Sequence, residues 1–340
     1  MSDTWAVILA AGEGKRMRSD RAKVLHRLAG RPLIEYPVAL ARAVGAAGIV
    51  VVVGHQGESV REALAGVPAL TFAEQREQRG TGHALAVAKG AIPETATAIL
   101  LLYADVPLLS VATVERLLTR HRRTRAAATV LTFTPADPTG YGRVLRRGGR
   151  RGRIVGIVEE RDATARQRRI REVNSGIYCF DPRRLWPALD GLSPQNDQGE
   201  LYLTDVVGRL ARGRRRVEAV PVDDPLEVAG INDRRQLARL EATLRERALA
   251  RLMTEGVTVL DPASTYVAVD VAVGRDSVLY PGVLLEGRTV IGQGCVIGTG
   301  CQLADMTLGN RVTLRPYCVA ERSVIEADVT LGPFARLRAG

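Results

Sequence analysis

Residues 273–303 read VGRDSVLYPGVLLEGRTVIGQGCVIGTGCQL, and an aliphatic side chain returns at every sixth position. The aliphatic positions are Val273, Leu279, Leu285, Ile291, Ile297 and Leu303, then Leu308 and Leu314 after one slip, and Ile325, Leu331 and Leu337 after a second. Four places after an aliphatic position stands a small or β-branched residue: Ser277, Val283, Thr289, Cys295, Cys301, Val312, Cys318, Val329 and Ala335. A sustained six-residue period is typical of a parallel β-helix, in which every turn buries an aliphatic ladder.

The cysteines fit this pattern better than they fit a disulfide or metal site. Cys295, Cys301 and Cys318 fall on the small position of the repeat, and Cys179 stands alone. The chain has no C-x-x-C pair and no histidine cluster beside its cysteines. We therefore expect small core residues, with neither disulfides nor zinc.

The region before the repeats alternates short apolar runs with helical patterns. The expected strands are Trp5–Leu9, Ile49–Val53, Ala69–Phe72, Ala98–Tyr103 and Ala127–Phe133, and the expected helices are Ile34–Val44, Ser59–Leu64, Ala84–Lys89 and Val111–Arg122. This alternation predicts an α/β fold, a parallel sheet with helices on both faces and ligands at the carboxyl ends of its strands. Residues 233–255 then predict one long amphipathic helix that ends at Gly256 and joins two domains.

Composition limits the functional class. The 340 residues are 46% hydrophobic but only 4% aromatic, and the net charge of +11 comes from arginine, with three lysines. The arginine runs are scattered and lack interleaved aromatic residues, so a solvated surface is favoured over nucleic-acid binding. We expect no membrane span and no secretion signal, and hence a cytoplasmic protein, because the apolar runs are short and MSDTWAVILAAGEG lacks a basic start before a long apolar stretch.

The segment LAAGEGKRMRSDRAKVLH, residues 9–26, follows the first predicted strand. Its turn contains Gly12 and Gly14, where backbone N–H groups can surround phosphate oxygens, and Arg16 and Lys23 can neutralise their charge. An ordinary glycine-rich turn with surface bases explains these residues equally well. The segment matches neither the Walker A loop nor the dinucleotide-binding fingerprint.

This segment resembles the signature loop of the sugar-1-phosphate nucleotidyltransferases. With its K-V-L-H ending it resembles the N-acetylglucosamine-1-phosphate uridylyltransferase half of the bifunctional enzyme that makes UDP-N-acetylglucosamine. Further matching motifs follow in order along the chain: QREQRGTGHA (75–84), LLYADVPLL (101–109), DPTGYGRV (137–144), GIVEERDAT (156–164), VNSGIY (173–178), GELYLTD (199–205), EVAGIND (227–233) and GPFARLR (332–338). The resemblance implies a Rossmann-like mixed-sheet nucleotidyltransferase domain (1–232), a linker helix (233–256) and a left-handed parallel β-helix (257–340).

The resemblance also implies a reaction: UTP and N-acetylglucosamine 1-phosphate give UDP-N-acetylglucosamine and pyrophosphate with Mg²⁺, in a homotrimer. By the same resemblance, Arg16, Lys23 and Asp105 are catalytic, and Asp105 and Asn232 ligate Mg²⁺. The residues implied to bind substrate are Leu9, Ala10, Ala11, Gly12, Lys23, Gln75, Gly80, Thr81, Tyr103, Ala104, Asp105, Gly140, Glu159, Asn174, Asn232 and Arg338. Within this set, Gln75, Gly80 and Thr81 would read the uracil, whereas Gly140, Glu159 and Asn174 would hold the sugar.

The chemistry is compatible with these residue types. The attacking phosphate oxygen is already ionised, so positioning and charge neutralisation are sufficient and His83 is expected to be structural. Taken singly, Asp105, Asn174 and Asn232 also fit turn positions, and Glu159 fits a surface carboxylate. The alternative functions are transfer to another sugar 1-phosphate or nucleotide, and a non-catalytic trimeric β-helix scaffold.

The sequence departs from the family in three places. Ala104 stands where the family usually has glycine, which would be costly if the backbone there had positive φ, and Ala22 stands where it often has proline. The family's β-helix also continues beyond residue 340 and carries most of the glucosamine-1-phosphate acetyltransferase site there, of which Arg338 alone has a counterpart here. We therefore expect a fragment of a longer protein, without acetyltransferase activity.

Overall fold

The computed structural model describes residues 3–149 and 152–338. The chain divides into two compact units: the first joins the described residues up to His26 with Pro32–Asp233, and the second joins Arg27–Arg31 with the described residues from Arg234 onward. The long helix therefore packs with the repeats. No helix in the described part of the chain is both long and apolar enough to cross a membrane.

The strands up to residue 221 are β1 (Thr4–Leu9), β2 (Arg27–Leu28), β3 (Arg31–Pro32), β4 (Gly48–Val53), β5 (Leu70–Glu74), β6 (Ala98–Tyr103), β7 (Ala128–Phe133), β8 (Arg143–Arg147), β9 (Arg153–Val158), β10 (Val173–Phe180) and β11 (Val217–Pro221). The α-helices are α1 (Glu35–Ala43), α2 (Gly57–Ala63), α3 (Thr81–Val87), α4 (Val111–Thr124), α5 (Ala165–Arg168), α6 (Pro182–Asp190), α7 (Leu203–Arg212) and α8 (Arg234–Thr254). Short 3₁₀ helices cover Lys15–Met17, Lys23–Leu25, Lys89–Ala91 and Pro225–Val228.

The first unit is built on a mixed sheet with the order β11-β7-β10-β6-β1-β4-β5, to which the β8–β9 hairpin is joined through β10. Along this order the neighbouring strands are parallel except at β10, which runs antiparallel to both β6 and β7. This confirms the mixed-sheet class that the resemblance implies. The strand–helix alternation alone predicts a purely parallel sheet and misses the reversed strand. β10 runs antiparallel because the chain reaches it through the β8–β9 hairpin and the short α5, and not through a crossover helix.

Helices cover both faces of this sheet, as the alternation predicts. Along β1, Ala6 and Ile8 belong to an apolar core that also contains residues of α1, α2 and α4. Val7 and Leu9 belong to a second core, shared with α3, α6 and α7. Because successive side chains of a strand point to opposite faces, β1 contributes to both cores and is buried throughout its centre.

The second unit contains, up to residue 338, fourteen further short strands: β12 (Thr258–Val259), β13 (Tyr266–Val267), β14 (Ala272–Val273), β15 (Val278–Leu279), β16 (Leu284–Glu286), β17 (Val290–Ile291), β18 (Val296–Ile297), β19 (Gln302–Ala304), β20 (Thr307–Leu308), β21 (Thr313–Leu314), β22 (Val319–Glu321), β23 (Val324–Ile325), β24 (Thr330–Leu331) and β25 (Arg336–Leu337). Every third strand pairs in parallel, giving the sheets β12-β15-β18-β21-β24, β13-β16-β19-β22-β25 and β14-β17-β20-β23. The structure confirms a parallel β-helix with three faces.

The pairing explains both slips in the six-residue period. Leu285 pairs with Leu303, Leu303 with Ala320, and Ala320 with Leu337, so Ala320 is a ladder residue that the aliphatic pattern misses. The five-residue steps are therefore Leu303 to Leu308 and Ala320 to Ile325. Cys295, Cys301 and Cys318 are fully buried free thiols in this core.

The segment Arg27–Arg31 joins the second unit through backbone hydrogen bonds. The Ala29 N–H donates to the Glu241 carboxylate on α8 at 2.7 Å, and the Ala29 carbonyl accepts from Val269 at 3.2 Å. Arg31 also forms an ion pair with Asp270. The sequence patterns do not predict this excursion, because five residues are too few to show a period.

Candidate active site

The strand β1 lies between β4 and β6, where the order of the strands along the chain reverses. Leu9 pairs with Val52 on one side and with Tyr103 on the other. Two further hydrogen bonds continue the pairing into the loops: Ala10 N–H donates to Val52 at 2.9 Å, and Ala104 N–H donates to Leu9 at 3.0 Å. The loops that follow β1 and β6 therefore begin side by side at the switch point, where α/β sheets bind ligands.

Gly14 shapes the loop after β1. Its φ of 65° precedes the first 3₁₀ helix, and a β-carbon at this position would lie 2.6 Å from the β-carbon of Lys23. Glycine therefore meets two requirements at once, a left-handed backbone and the close approach of the segment that carries Lys23. The result is that the Lys23 side chain enters the site from a short second helix.

Lys23 lies between the two side chains expected to ligate a metal. Its Nζ is 2.5 Å from Oδ2 of Asp105 and 3.3 Å from Oδ1 of Asn232. The Lys23 and Asp105 side chains are 12% and 18% exposed, and the Ile231 N–H fixes the approach of the Asn232 segment by donating to the Asp105 carbonyl at 2.9 Å. One carboxylate oxygen and one amide oxygen thus converge on a single cationic position.

A cavity of about 300 Å³ opens beside this cluster. It is lined by eleven of the predicted site residues: Leu9, Ala10, Ala11, Gly12, Lys23, Gln75, Gly80, Thr81, Tyr103, Ala104 and Asp105. Val24, Gln78, Ala84 and Glu200 complete the lining. Gln78 donates to the Ala11 carbonyl at 2.9 Å and so braces the loop. Sequence reasoning did not assign a role to these four, although all of them lie inside the quoted motifs.

Gln75 is buried, and its amide nitrogen is fully engaged. Nε2 donates to the Gly80 carbonyl at 3.2 Å and lies 3.2 Å from Nδ1 of His83. No donor from the described residues reaches its Oε1, which leaves this oxygen as an acceptor for a ligand N–H. His83 orients Gln75, in keeping with the structural role expected for it.

Gly80 and Thr81 sit where α3 begins. Gly80 has a φ of 99°, and a β-carbon there would lie 2.8 Å from the Leu201 carbonyl. The Thr81 hydroxyl accepts from the Leu203 N–H at 3.2 Å, which ties α3 to the start of α7.

Arg16 and Asn232 line a neighbouring concavity of about 260 Å³ with Gly12 and Lys23. The Arg16 side chain is exposed and makes no ion pair with any described residue. It is therefore available for an anion at the mouth of the site.

Gly140, Glu159 and Asn174 line neither concavity. Glu159 and Asn174 meet at Gly142, which follows Gly140 by two residues. The Asn174 N–H donates to the Gly142 carbonyl at 2.8 Å, and a β-carbon at Gly142 would lie 3.3 Å from Oε2 of Glu159. Oε1 of Glu159 accepts from the Thr204 hydroxyl at 2.8 Å. Burial raises the pKa of Glu159 above its usual value, and the hydrogen bond from Thr204 opposes that rise.

Tyr103 lies between the cavity and this second group. Burial raises the pKa of its hydroxyl, and the negative charges of Asp105 and then Glu159 raise it further. Tyr103 therefore stays neutral, and its hydroxyl is close enough to both Asp105 and Glu159 for their charges to affect it.

A buried ion pair that sequence reasoning missed supports the second group. Arg143 is 2% exposed, and its Nη2 lies 2.6 Å from the Glu160 carboxylate. Arg143 pairs with Val158 of β9 and with Val173 of β10, the residues directly before Glu159 and Asn174. Arg143 thus anchors the point from which both candidate sugar-binding residues emerge.

The two alanines that depart from the family pattern cause no backbone strain here. Ala104 is buried and its φ is not positive, so its methyl group imposes no backbone cost. Ala22 has a φ of −52°, which lies in the range that proline adopts. Arg338, the remaining predicted residue, is exposed in the second unit, where it lines a concavity of about 200 Å³ with Arg336 and Glu321.

Comparison with known proteins connects this geometry to a family. The family described as MobA-like NTP transferase domain matches residues 6–256. The bifunctional protein GlmU of Brevibacillus brevis is 44% identical over 340 residues, which are 100% of this chain and 73% of that protein. The GlmU of Syntrophotalea carbinolica is 48% identical over 318 residues, covering 94% of this chain and 68% of that protein.

A solved structure supports the fold alone. The crystal structure of UDP-glucose pyrophosphorylase complexed with UDP-glucose aligns with a TM-score of 0.58 at 16% sequence identity. The alignment covers 73% of this chain and all of that chain.

Replacing Arg143 by Met is expected to destabilise the first unit by about 1–3 kcal/mol, because the partly exposed Glu160 carboxylate would lose its buried partner. The measurement is urea unfolding followed by tryptophan fluorescence, since Trp5 and Trp186 are the two tryptophans of the chain and both lie in this unit. The matched control is Arg311→Met, which breaks the exposed pair with Asp328 and should leave this transition unchanged. Equal effects of the two substitutions would contradict the assigned role of Arg143.

Proposed function

We propose, from the premise that the chain belongs to the bifunctional GlmU family and is a nucleotidyltransferase, that its first unit transfers uridylyl from UTP to N-acetylglucosamine 1-phosphate and releases pyrophosphate. The observation that carries this proposal is the cluster of Lys23, Asp105 and Asn232 at the edge of a cavity lined by the loop after β1. This arrangement provides a cation and two oxygen ligands where a nucleotide phosphate would enter.

The members of this family typically need a divalent metal, and the donors here suit Mg²⁺. Asp105 and Asn232 offer one carboxylate and one amide oxygen, which are hard ligands directed at one point. The described residues contain no group of three or more histidine, cysteine, aspartate or glutamate side chains able to hold a metal. The remaining ligands would come from water and phosphate, and the bound ion would offset negative charge on the nucleotide.

The protein's own cations would then act on the phosphates. Lys23, released from its pairing with Asp105, would stabilise charge on the α-phosphate during attack, and Arg16 would neutralise the departing pyrophosphate. The incoming phosphate oxygen needs no base, because it is already ionised. The protein's contribution is to align the two substrates and to offset their repulsion.

Gln75 supports uracil as the base. Its Oε1 is free to accept from a ring N–H, while its amide nitrogen is fixed by Gly80 and His83. Uracil carries such an N–H between two carbonyls, whereas cytosine has only an acceptor nitrogen at that position. For the sugar, Glu159 and Asn174 offer a carboxylate and an amide to the hydroxyl and acetamido groups.

The substrate prediction is tested by pyrophosphate release with UTP and Mg²⁺. We expect kcat/KM for N-acetylglucosamine 1-phosphate to exceed that for glucose 1-phosphate at least about 10-fold, since the acetamido group adds specific contacts.

Asp105→Asn should lower turnover about 10²-fold or more, whereas Asp190→Asn, at an exposed carboxylate, should not. Preference for glucose 1-phosphate would exclude the proposed acceptor, and full activity of Asp105→Asn would exclude the metal assignment. An inactive parent protein would favour the scaffold alternative.

The hydrogen bond between Thr204 and Glu159 predicts a pH effect. Removing it by Thr204→Val should raise the pKa of Glu159 further, because that bond opposes the effect of burial. Protonated Glu159 is a poorer acceptor, so as the pH is lowered kcat/KM for the sugar phosphate should begin to fall at a higher pH in Thr204→Val than in the parent. The titration of the substrate's own phosphate would not move. Thr204→Ser is the matched control, and an unmoved profile in Thr204→Val would contradict the role of Glu159.

We also propose that the β-helix assembles three copies of the chain, and that the assembly is cytoplasmic. Support comes from large apolar side chains that the second unit exposes: Tyr266, Tyr280, Val290, Tyr317, Val319, Val324 and Phe334. Tyr317 and Phe334 stack with their centroids 5.5 Å apart, which forms a rigid apolar surface. Light scattering should give three times the chain mass, and Phe334→Asp should lower it, whereas Val111→Asp in the first unit should not.

A further inference from the structure

The first unit has an arginine-lined groove that lies away from the candidate active site. It has a volume of about 430 Å³ and lies between α6, α7 and the turn after α7. Five arginines line it: Arg183, Arg184, Arg209, Arg212 and Arg215. The rest of the lining is Pro187, Ala188, Leu210 and Gly213, so the described residues give the groove neither a carboxylate nor an aromatic ring.

Within the described part of the chain these five guanidinium groups have no ion-pair partner at contact distance, although Arg212 and Arg209 sense the charge of Asp205 on the same helix at longer range. None of them takes part in a salt bridge or a side-chain hydrogen bond there, whereas Arg120, Arg146 and Arg216 each contact a carboxylate at 2.6 Å. All five side chains are exposed. Crowding like charges in one concavity is unfavourable unless an anion neutralises several of them together.

The local geometry makes room for the guanidinium of Arg209. A β-carbon built on Gly191 would lie 1.8 Å from its Nη2, so the absence of a side chain at this position lets the guanidinium lie over the end of α6. The space at Gly191 is an observation separate from the number of arginines in the groove, because it concerns the room available to one side chain.

We propose that this groove is a binding site for a compact polyphosphate. Guanidinium groups match phosphate oxygens with paired N–H donors, and five of them around one concavity suit several adjacent phosphates. A nucleic acid is the less suitable ligand, because the cations form a pocket rather than a stripe and no ring is present for base stacking.

The groove is distinct from the candidate active site but shares a helix with it. The first residues of α7 contact that site: the Leu203 N–H donates to Thr81, and the Thr204 hydroxyl donates to Glu159. The last turn of the same helix carries Arg209 and Arg212. Among residues 3–149 and 152–338, none lines both the groove and the 300 Å³ cavity.

The test is calorimetric titration of the full chain with inorganic tripolyphosphate in the absence of divalent metal. The second binding site in this experiment rests on the proposed function, since the loop after β1 should also bind a triphosphate. We expect two sites in the parent protein. The variant R184Q/R209Q/R212Q should lose one, with affinity at least 10-fold weaker, and R16Q/K23Q should lose the other.

Two controls separate shape from net charge. R123Q/R166Q/R169Q removes the same charge from exposed arginines outside the groove and should keep both sites. Gly191→Ala keeps the charge but displaces the Arg209 guanidinium, and should weaken the groove site several-fold.

The outcomes are distinguishable. A single site that only R16Q/K23Q removes would overturn the groove and leave the proposed function intact, whereas a single site that only R184Q/R209Q/R212Q removes would do the reverse. If R184Q/R209Q/R212Q and R123Q/R166Q/R169Q lost tripolyphosphate affinity equally, the loss would be explained by net charge alone and the proposal would be overturned. Binding of a 20-base-pair duplex that depends on the groove, without tripolyphosphate binding, would replace it by a nucleic-acid site.

Discussion

The first unit depends on the parallel pairing of β1 with a strand on each side. Leu9 is paired with Val52 on one side and with Tyr103 on the other, and hydrogen bonds of Ala10 and Ala104 continue this pairing into the loops. Because the sheet fixes where both loops begin, the chain can place Lys23 and Asp105 within 2.5 Å of each other although 82 residues separate them. The rigidity of the sheet is thus what makes a precise charged cluster possible on two loops.

Much of the architecture could be predicted because it is periodic. The six-residue ladder identifies the β-helix, and the strand–helix alternation identifies an α/β sheet. The exceptions are places where periodicity carries no information. Ala320 occupies a ladder position without a large aliphatic side chain, β10 reverses direction after a hairpin, and Arg27–Arg31 joins the second unit through bonds to Glu241 and Val269.

More of the candidate site can be predicted from the sequence around the loop after β1 than around Glu159. The loop after β1 and Asp105 follow strands, so their position at a carboxyl end can be inferred from the sequence, and the resemblance supplies Gln75 and Asn232. Thr204 and Arg143 could not be inferred in this way. Their roles arise from side-chain contacts across α7 and the β8–β9–β10 junction, and a threonine or arginine is unremarkable in a chain so rich in arginine.

The steps of five and six residues in the β-helix have an evolutionary consequence. One full coil takes 18 residues between Leu285 and Leu303, and 17 between Leu303 and Ala320, yet the strands above and below remain aligned. A corner can therefore gain or lose a residue without disturbing neighbouring coils, and a whole coil could be duplicated or deleted by recombination as a unit. Such a scaffold can change length over generations one coil at a time, whereas each inner strand of the sheet in the first unit has a neighbouring strand on both sides.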